Sequence, residues 1–428
     1  MCHNFRDVKV GGATMDVAVT LAQWASRLVP EPGDRELAQR ALADTLAVTV
    51  AAADEPVAAQ TAALSEVTRW AAVGHALDFD DVHLPSTSHI SVVCVAATLA
   101  AGGGVREYLG GAGVMARLGT ALGWEHYRRG WHTTCTAGAP AAAVSAGLAL
   151  GLDEEGLARA LALAVPAAGG VQRAFGTDTK PLQVGFAVDS GVRAARLAAA
   201  GATADPASFD HWFGLMGGTT APDLDGPTIP GGLAVKLYPC CYAMQRPIGA
   251  ARLLDVDPRQ VTRIRVEAPA SSLRPLIHDR PENGLQAKFS LPYAITTALL
   301  DRSPSSANFT DRAVTRPEVR DLMERVEVVT SPGGDSVFAG PTRLTARLHD
   351  GSTIVRSLDL PPGHPDTPPS THELAAKVHG CAGDRWAPQV RSADWDNAAA
   401  LLRSALTTGS RAAEVGRTVD DPAGGGRS

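Results

Sequence analysis

The residues Asp78, Asp80, Asp81, His83 and His89 put three carboxylates and two imidazoles within twelve positions of an otherwise Ala- and Val-rich stretch. Charged groups in an apolar helical region are costly to desolvate unless they are paired or have a task. An imidazole beside carboxylates is the usual equipment for moving a proton. Five further segments place polar groups where an apolar helix does not need them. Gly130–Gly138 (GWHTTCTAG) carries His132 and Thr133 in a polar turn before an Ala-rich helix. Thr177–Pro181 carries Lys180, and Lys236–Cys241 (KLYPCC) carries Lys236 just ahead of Gln245 and Arg246. Lys288–Tyr293 contains Tyr293, and Pro361–Asp366 is a Pro-rich loop with His364. Each residue also has a plain reading. Asp80 and Asp81 read equally as a helix cap, His89 as a satisfied core imidazole, single lysines as surface groups, and Tyr293 as core.

The elements that must position these groups are mostly helices. From Met15 to about residue 255, apolar residues recur every three or four positions, as in Leu21, Trp24, Ala25 and Leu28. Asp153-Glu154-Glu155 is a helix start, since acids favour the positive N-terminal end. The pattern then changes to alternation at 261–267, 325–329, 342–348 and 352–356, the period of half-buried strands. The last two flank His349-Asp350-Gly351, a hairpin signal. Helical periodicity returns at 397–406. The expectation is a mainly α protein. A helical domain spans 14–256 and is completed by about 389–415. A smaller α+β domain spans 257–388, and a Gly-, Asp- and Arg-rich disordered tail spans 416–428.

Composition narrows the function. The 428 residues carry a formal net charge of −6 with no long basic run, which argues against nucleic acid. Aromatic residues make up only 5%, too few for base-stacking platforms. No segment has the roughly 20 apolar residues of a membrane span, and Met1–Asp16 lacks the apolar core of a signal peptide. Six cysteines fit no zinc pattern, so a reduced, cytoplasmic protein is expected. Asp78, Asp80, Asp81 and His89 are legitimate metal donors, but no second acidic cluster completes a two-metal site, and no metal is expected. Phosphate-binding Gly-rich loops are absent, so nucleotide cofactors have no support.

Taken in order, six stretches resemble the MmgE/PrpD family. They are HALDFDDVH…SHISV at 75–92, GWHTTCTAGAPAAA at 130–143, TKPLQVGFAVDSGVRAARLAAAGAT at 179–203, KLYPCCYAMQRPIGAA at 236–251, AKFSLPYAI at 287–295 and PPGHPDTP at 361–368. The resemblance implies a helical domain built from both chain ends, an α+β lid, a homodimer, and a cleft that works on a small carboxylate without a cofactor. By position it implies catalytic roles for Asp78, His89, His132, Lys180, Lys236 and Tyr293. Asp81, Thr133, Gln245 and Arg246 are expected to bind substrate. Two places depart from the family pattern: Val82 stands where Thr is common, and Gln245 or Arg246 where His is common.

The reactions so implied break a C–H or C–C bond beside a carboxylate, and negative charge grows there. Lys180 and Lys236 would stabilise that charge, His89 oriented by Asp78 would move the proton, and Tyr293 or His132 would protonate or bind. The expected activity is a dehydrating or decarboxylating lyase on a small polycarboxylate. An epimerase that removes and returns a proton is the second reading. A catalytically inactive binding protein is the third, because function lives in the site rather than the fold.

Overall fold

The computed structural model describes residues 16–334 and 340–408, so the expected tail at 416–428 lies outside the described residues. Among the described residues helices make up 57% and a single sheet has four strands, so the protein is mainly α with a smaller α+β part. Among the described residues no helix is long and apolar enough to cross a membrane.

The larger apolar core has the helix Gly138–Ala149 near its centre. Its sequence GAPAAAVSAGLA has no polar face, and eleven of its residues are buried. The helices Ser91–Ala101, Val105–Arg128 and Thr179–Ala199 pack around it. Small residues let them approach closely; at Gly191 a Cβ would collide with the carbonyl of Ala139. The Asp153 side chain accepts from the Gly156 amide (2.8 Å), confirming the helix start read from the acids there.

The helices Thr371–Ser392 and Ala398–Thr408 return to this same core. Val378, Ala382, Trp386 and Leu402 join its buried cluster, and Thr371–Ser392 lies along Pro32–Ala51. A buried ion pair, Lys377 Nζ to Asp44 Oδ1 at 2.6 Å, crosses that contact.

The second core lies under the sheet. Its strands are β1 (Val261–Pro269), β2 (Val326–Ser331), β3 (Thr342–Leu348) and β4 (Thr353–Leu358), in the order β2-β1-β3-β4. β1 and β2 are parallel, with Ile264 opposite Val326; β1–β3 and β3–β4 are antiparallel. The β3–β4 hairpin turns at Gly351, whose φ of 84° is one that favours glycine. Alternation places Ile264, Val266, Leu344 and Ala346 on one buried face, against the helices Gln245–Arg252 and Leu291–Leu300. Parallel pairing needs a long crossover, and the segment between β1 and β2 supplies it with helices that include Leu291–Leu300 and Pro317–Met323.

The two cores divide at places periodicity does not mark. Tyr238, Met244 and Ile248 pack with the sheet, whereas Val378 to Trp386 pack with the large helical core. A helical repeat shows which face is apolar, but not which body that face meets.

Candidate active site

The helix Glu66–Ala76 ends at Leu77, and Asp78 then turns with a left-handed φ of 51°. That conformation is uncommon for a residue with a Cβ, though Asp tolerates it better than most. The turn directs Asp78 and Asp80 into a buried cluster with His75 and His89. Lys236 Nζ donates to Asp78 Oδ1 (2.5 Å) and to the Asp78 carbonyl (2.7 Å), while Lys180 Nζ stands 3.2 Å from the same Oδ1. His89 Nε2 lies 3.5 Å from that oxygen.

Hydrogen bonding sets the imidazole tautomers. His75 Nδ1 donates to Asp80 Oδ2 at 2.8 Å, so its Nε2 accepts from Lys180 Nζ at 2.7 Å. Gln183 accepts the Val171 amide on its oxygen (2.9 Å) and therefore donates its nitrogen to His132 Nδ1 (2.8 Å). His132 thus carries its proton on Nε2. His89 is the least constrained ring. Its Nδ1 is 3.1 Å from Asp80 Oδ2 without hydrogen-bond alignment, and its backbone amide is anchored on Thr134 Oγ1 (3.1 Å).

A cavity of about 40 Å³ opens on this cluster, lined by Asp78, Val82, His89, His132, Lys180 and Tyr242 together with Tyr127, Phe175, Cys241 and Phe289. By volume it holds a few waters. Phe175 and Phe289 flank Lys180 Nζ at 5.4 and 5.5 Å from their ring centres. In these apolar surroundings every charge interaction is strengthened.

Burial alone would raise the Asp78 carboxyl pKa, but the ammonium groups of Lys180 and Lys236 outweigh it and hold the acid well below its usual range. Burial opposes charge on Lys236 too; Asp78 and Asp80 overcome it and raise its pKa. Burial pushes His89 down to about 4, pushes His132 well below the usual imidazole value with help from Lys180, and lowers His75. At neutral pH the cluster therefore combines ionised carboxylates and Lys236 with uncharged imidazoles. His89 is then able to accept a proton, and His132 to donate a hydrogen bond.

Asp78, His89, His132 and Lys180 share the cavity, and Lys236 stands behind Asp78 rather than at the wall. Five expected site residues lie elsewhere. Asp81 accepts from the Ser91 amide (3.1 Å) and from the Ser91 hydroxyl, so it holds the start of the next helix. Gln245 uses both ends of its amide on the chain: its oxygen accepts from the Leu237 and Tyr238 amides (3.1 Å each) and its nitrogen donates to the Tyr238 carbonyl (2.9 Å). It shapes the turn that presents Lys236. Arg246 reaches the Gly340 carbonyl and lines a separate cavity of about 240 Å³ with Asp359 and His364. The Tyr293 hydroxyl donates to the Asn308 carbonyl inside the second core. The Thr133 hydroxyl is buried without a partner among the described residues and does not line the cavity; its neighbour Thr134 holds the His89 amide. Sequence reasoning passed over His75, whose position three residues before Asp78 was its available signal.

His75, Asp78, Asp80 and His89 also offer metal-type donor atoms within 4.8 Å of one another. Both lysines hold the Asp78 oxygen, however, and Lys180 holds the free nitrogen of His75. A divalent cation would meet two ammonium groups there, so the donor set does not fit one.

The MmgE/PrpD N-terminal domain matches residues 69–224, and the MmgE/PrpD C-terminal domain matches residues 238–401. The chain belongs to the MmgE/PrpD family. Among its relatives are cis-aconitate decarboxylases. The one from Aspergillus terreus (strain NIH 2624 / FGSC A1156) is 25% identical over 350 residues, covering 70% of each chain. The one from Mus musculus is 26% identical over 345 residues, covering 72% of this chain and 69% of its own. The Homo sapiens protein is 26% identical over 295 residues, covering 64% and 59%. In this MmgE/PrpD chain the cavity-lining acids and bases fall within the N-terminal match, whereas Lys236 falls between the two matches.

The buried imidazoles predict how stability depends on pH. His83, His89 and His126 are each pushed down to about 4 from an ordinary value near 6.5, chiefly by burial. Below about 6.5 the unfolded chain takes up these protons and the folded chain does not, so stability falls as pH falls, by up to roughly 1.4 kcal/mol per pH unit for each imidazole. Asp81, pushed up to about 7 by burial, acts oppositely. His75 and His132, lowered as well, add to these three, and together the imidazoles outweigh Asp81 and Asp44, whose carboxyls burial raises. Urea midpoints should therefore drop steadily from pH 6.5 to 4.5; a flat profile would contradict the buried neutral state.

Proposed function

We propose that this protein is a cofactor-independent lyase that breaks a C–C or C–O bond next to a carboxylate of a small polycarboxylate. The observation that carries the reading is one cavity shared by Lys180, Asp78, neutral His89 and Nε2-protonated His132. Decarboxylation or elimination leaves negative charge on carbon, and a neighbouring carboxylate spreads it. Lys180 faces that developing charge, while Lys236 keeps Asp78 ionised and in place. His89 takes or returns the proton, and His132 donates to a substrate oxygen. The relatives named cis-aconitate decarboxylase support a tricarboxylate or its unsaturated product as the substrate class. Closure over the bound acid would exclude water and strengthen every charge contact in the cavity.

The test is an NMR screen of cis-aconitate, citrate and related acids in deuterated buffer. Loss of a carboxyl group or of water supports the lyase; deuterium appearing in recovered substrate without product would replace it by an epimerase. Turnover should survive exhaustive chelation. A loss restored by adding a divalent metal would overturn the cofactor-independent assignment.

A further inference from the structure

Three successive stretches of chain far from one another each send a buried lysine to the main chain of the Asp78 turn. Lys288 Nζ donates to the carbonyl of Ala76 (3.0 Å), Lys236 Nζ to that of Asp78 (2.7 Å), and Lys377 Nζ to that of Phe79 (2.9 Å). All three side chains are buried. Lys236 precedes the sheet, Lys288 follows the four-residue helix Gly284–Ala287, and Lys377 lies on the returning helix Thr371–Ser392.

The chemistry of a helix end explains why donors are needed there. The last carbonyls of Glu66–Ala76 have no partner within the helix, and a left-handed Asp78 turns the next ones away from any ladder. Buried carbonyls without donors are costly, and ammonium groups satisfy them; Lys236 and Lys288 also add charge of the sign that Asp78 needs. Lys377 does more than donate. Its Nζ stands 4.2 Å from the centre of the Phe79 ring and is neutralised by Asp44 at 2.6 Å. Phe79 is therefore held by ring and carbonyl together, and it is the residue between the two carboxylates of the cluster.

We infer that Lys288 and Lys377 are positioning residues that fix the turn carrying Asp78 and Asp80, and that Lys377 makes the returning C-terminal helix part of the active-site scaffold. Neither reaches the cavity. Both act through the main chain, where a displacement of about 1 Å in a reacting group costs on the order of 10²-fold in rate. The rate part of this inference rests on the lyase reading; the positioning part does not.

The test uses the full chain with two variants, Lys288→Met and the double variant Asp44→Asn/Lys377→Met, the latter removing both members of the buried pair so that no lone charge remains. Backbone amide exchange is followed by mass spectrometry. In both variants, peptides covering 76–83 should exchange at least about 10-fold faster than in the parent, while peptides from the central helix 138–149 stay within about two-fold. With a turned-over substrate, kcat should fall by about 10- to 100-fold while KM stays within about three-fold. Unchanged exchange at 76–83 overturns the inference. So does equal acceleration at 138–149, which would mean general destabilisation, and so does faster loop exchange with unchanged kcat. If the parent turns over none of the acids screened, the exchange contrast alone still decides whether the lysines hold the turn.

Discussion

The His89→Ala variant is expected to lose about 10²- to 10⁴-fold in kcat, the range general acid–base groups supply, while its unfolding free energy stays within about 1–2 kcal/mol of the parent. The split follows from how the ring is held. His89 faces the cavity and makes no aligned side-chain hydrogen bond. Removing it orphans neither carboxylate: Asp80 keeps His75 at 2.8 Å, and Asp78 keeps both lysines. The backbone amide of residue 89 still reaches Thr134 Oγ1. Burial keeps the ring uncharged above a pKa of about 4, so at neutral pH its loss removes a base rather than a charge. Near-parental turnover would transfer the proton-moving role elsewhere in the cavity, first to His132. A large loss of stability would make His89 a structural imidazole.

Much of this arrangement is legible in the chain before it folds, and the illegible remainder has a physical cause. The four strands and the His349–Gly351 hairpin follow from two-residue alternation, which only a half-buried sheet produces. Asp78, His89, His132 and Lys180 stand out because each is a polar group in an apolar segment, and the fold collects them in one cavity. Residue type, however, does not give side-chain direction. Tyr293 follows Pro292 at a helix start and points into its own core, to the Asn308 carbonyl. Gln245 is expected from the resemblance to bind substrate, yet both ends of its amide are taken by the Lys236 turn. Asp81 adjoins Asp80 but holds the start of the next helix from ten residues away rather than as its N-cap residue, which is Ile90. His75 and Lys377 are hidden for the opposite reason. One ends an apolar helix and the other sits in a helix rich in exposed charge, and their partners at Asp80, Lys180, Asp44 and Phe79 come together only in three dimensions.

Asp78→Asn should be the most damaging single change to stability, because one carboxylate oxygen compensates two buried ammonium groups. Breaking a buried pair from one side costs about 3–5 kcal/mol, since the partner stays buried and uncompensated. Asparagine is the informative replacement. It keeps the shape, tolerates the left-handed φ of 51°, and still offers an oxygen to Lys236, so what disappears is the charge. The pH dependence separates this cause from lost packing. In the parent, Asp78 raises the pKa of Lys236 against the effect of burial. Without it, burial dominates and the folded-state pKa of Lys236 falls below its unfolded value. The folded variant then binds fewer protons than the unfolded chain over the window between those two values, and within it stability rises with pH. Urea unfolding at pH 7 and pH 9 should show the variant well below the parent at the lower pH, with the gap narrowing at the higher. A variant within about 1 kcal/mol of the parent at pH 7, or a gap independent of pH, would mean that Lys236 does not depend on Asp78 for its charge. The same carboxylate would then have to be assigned to catalysis on kinetic grounds alone.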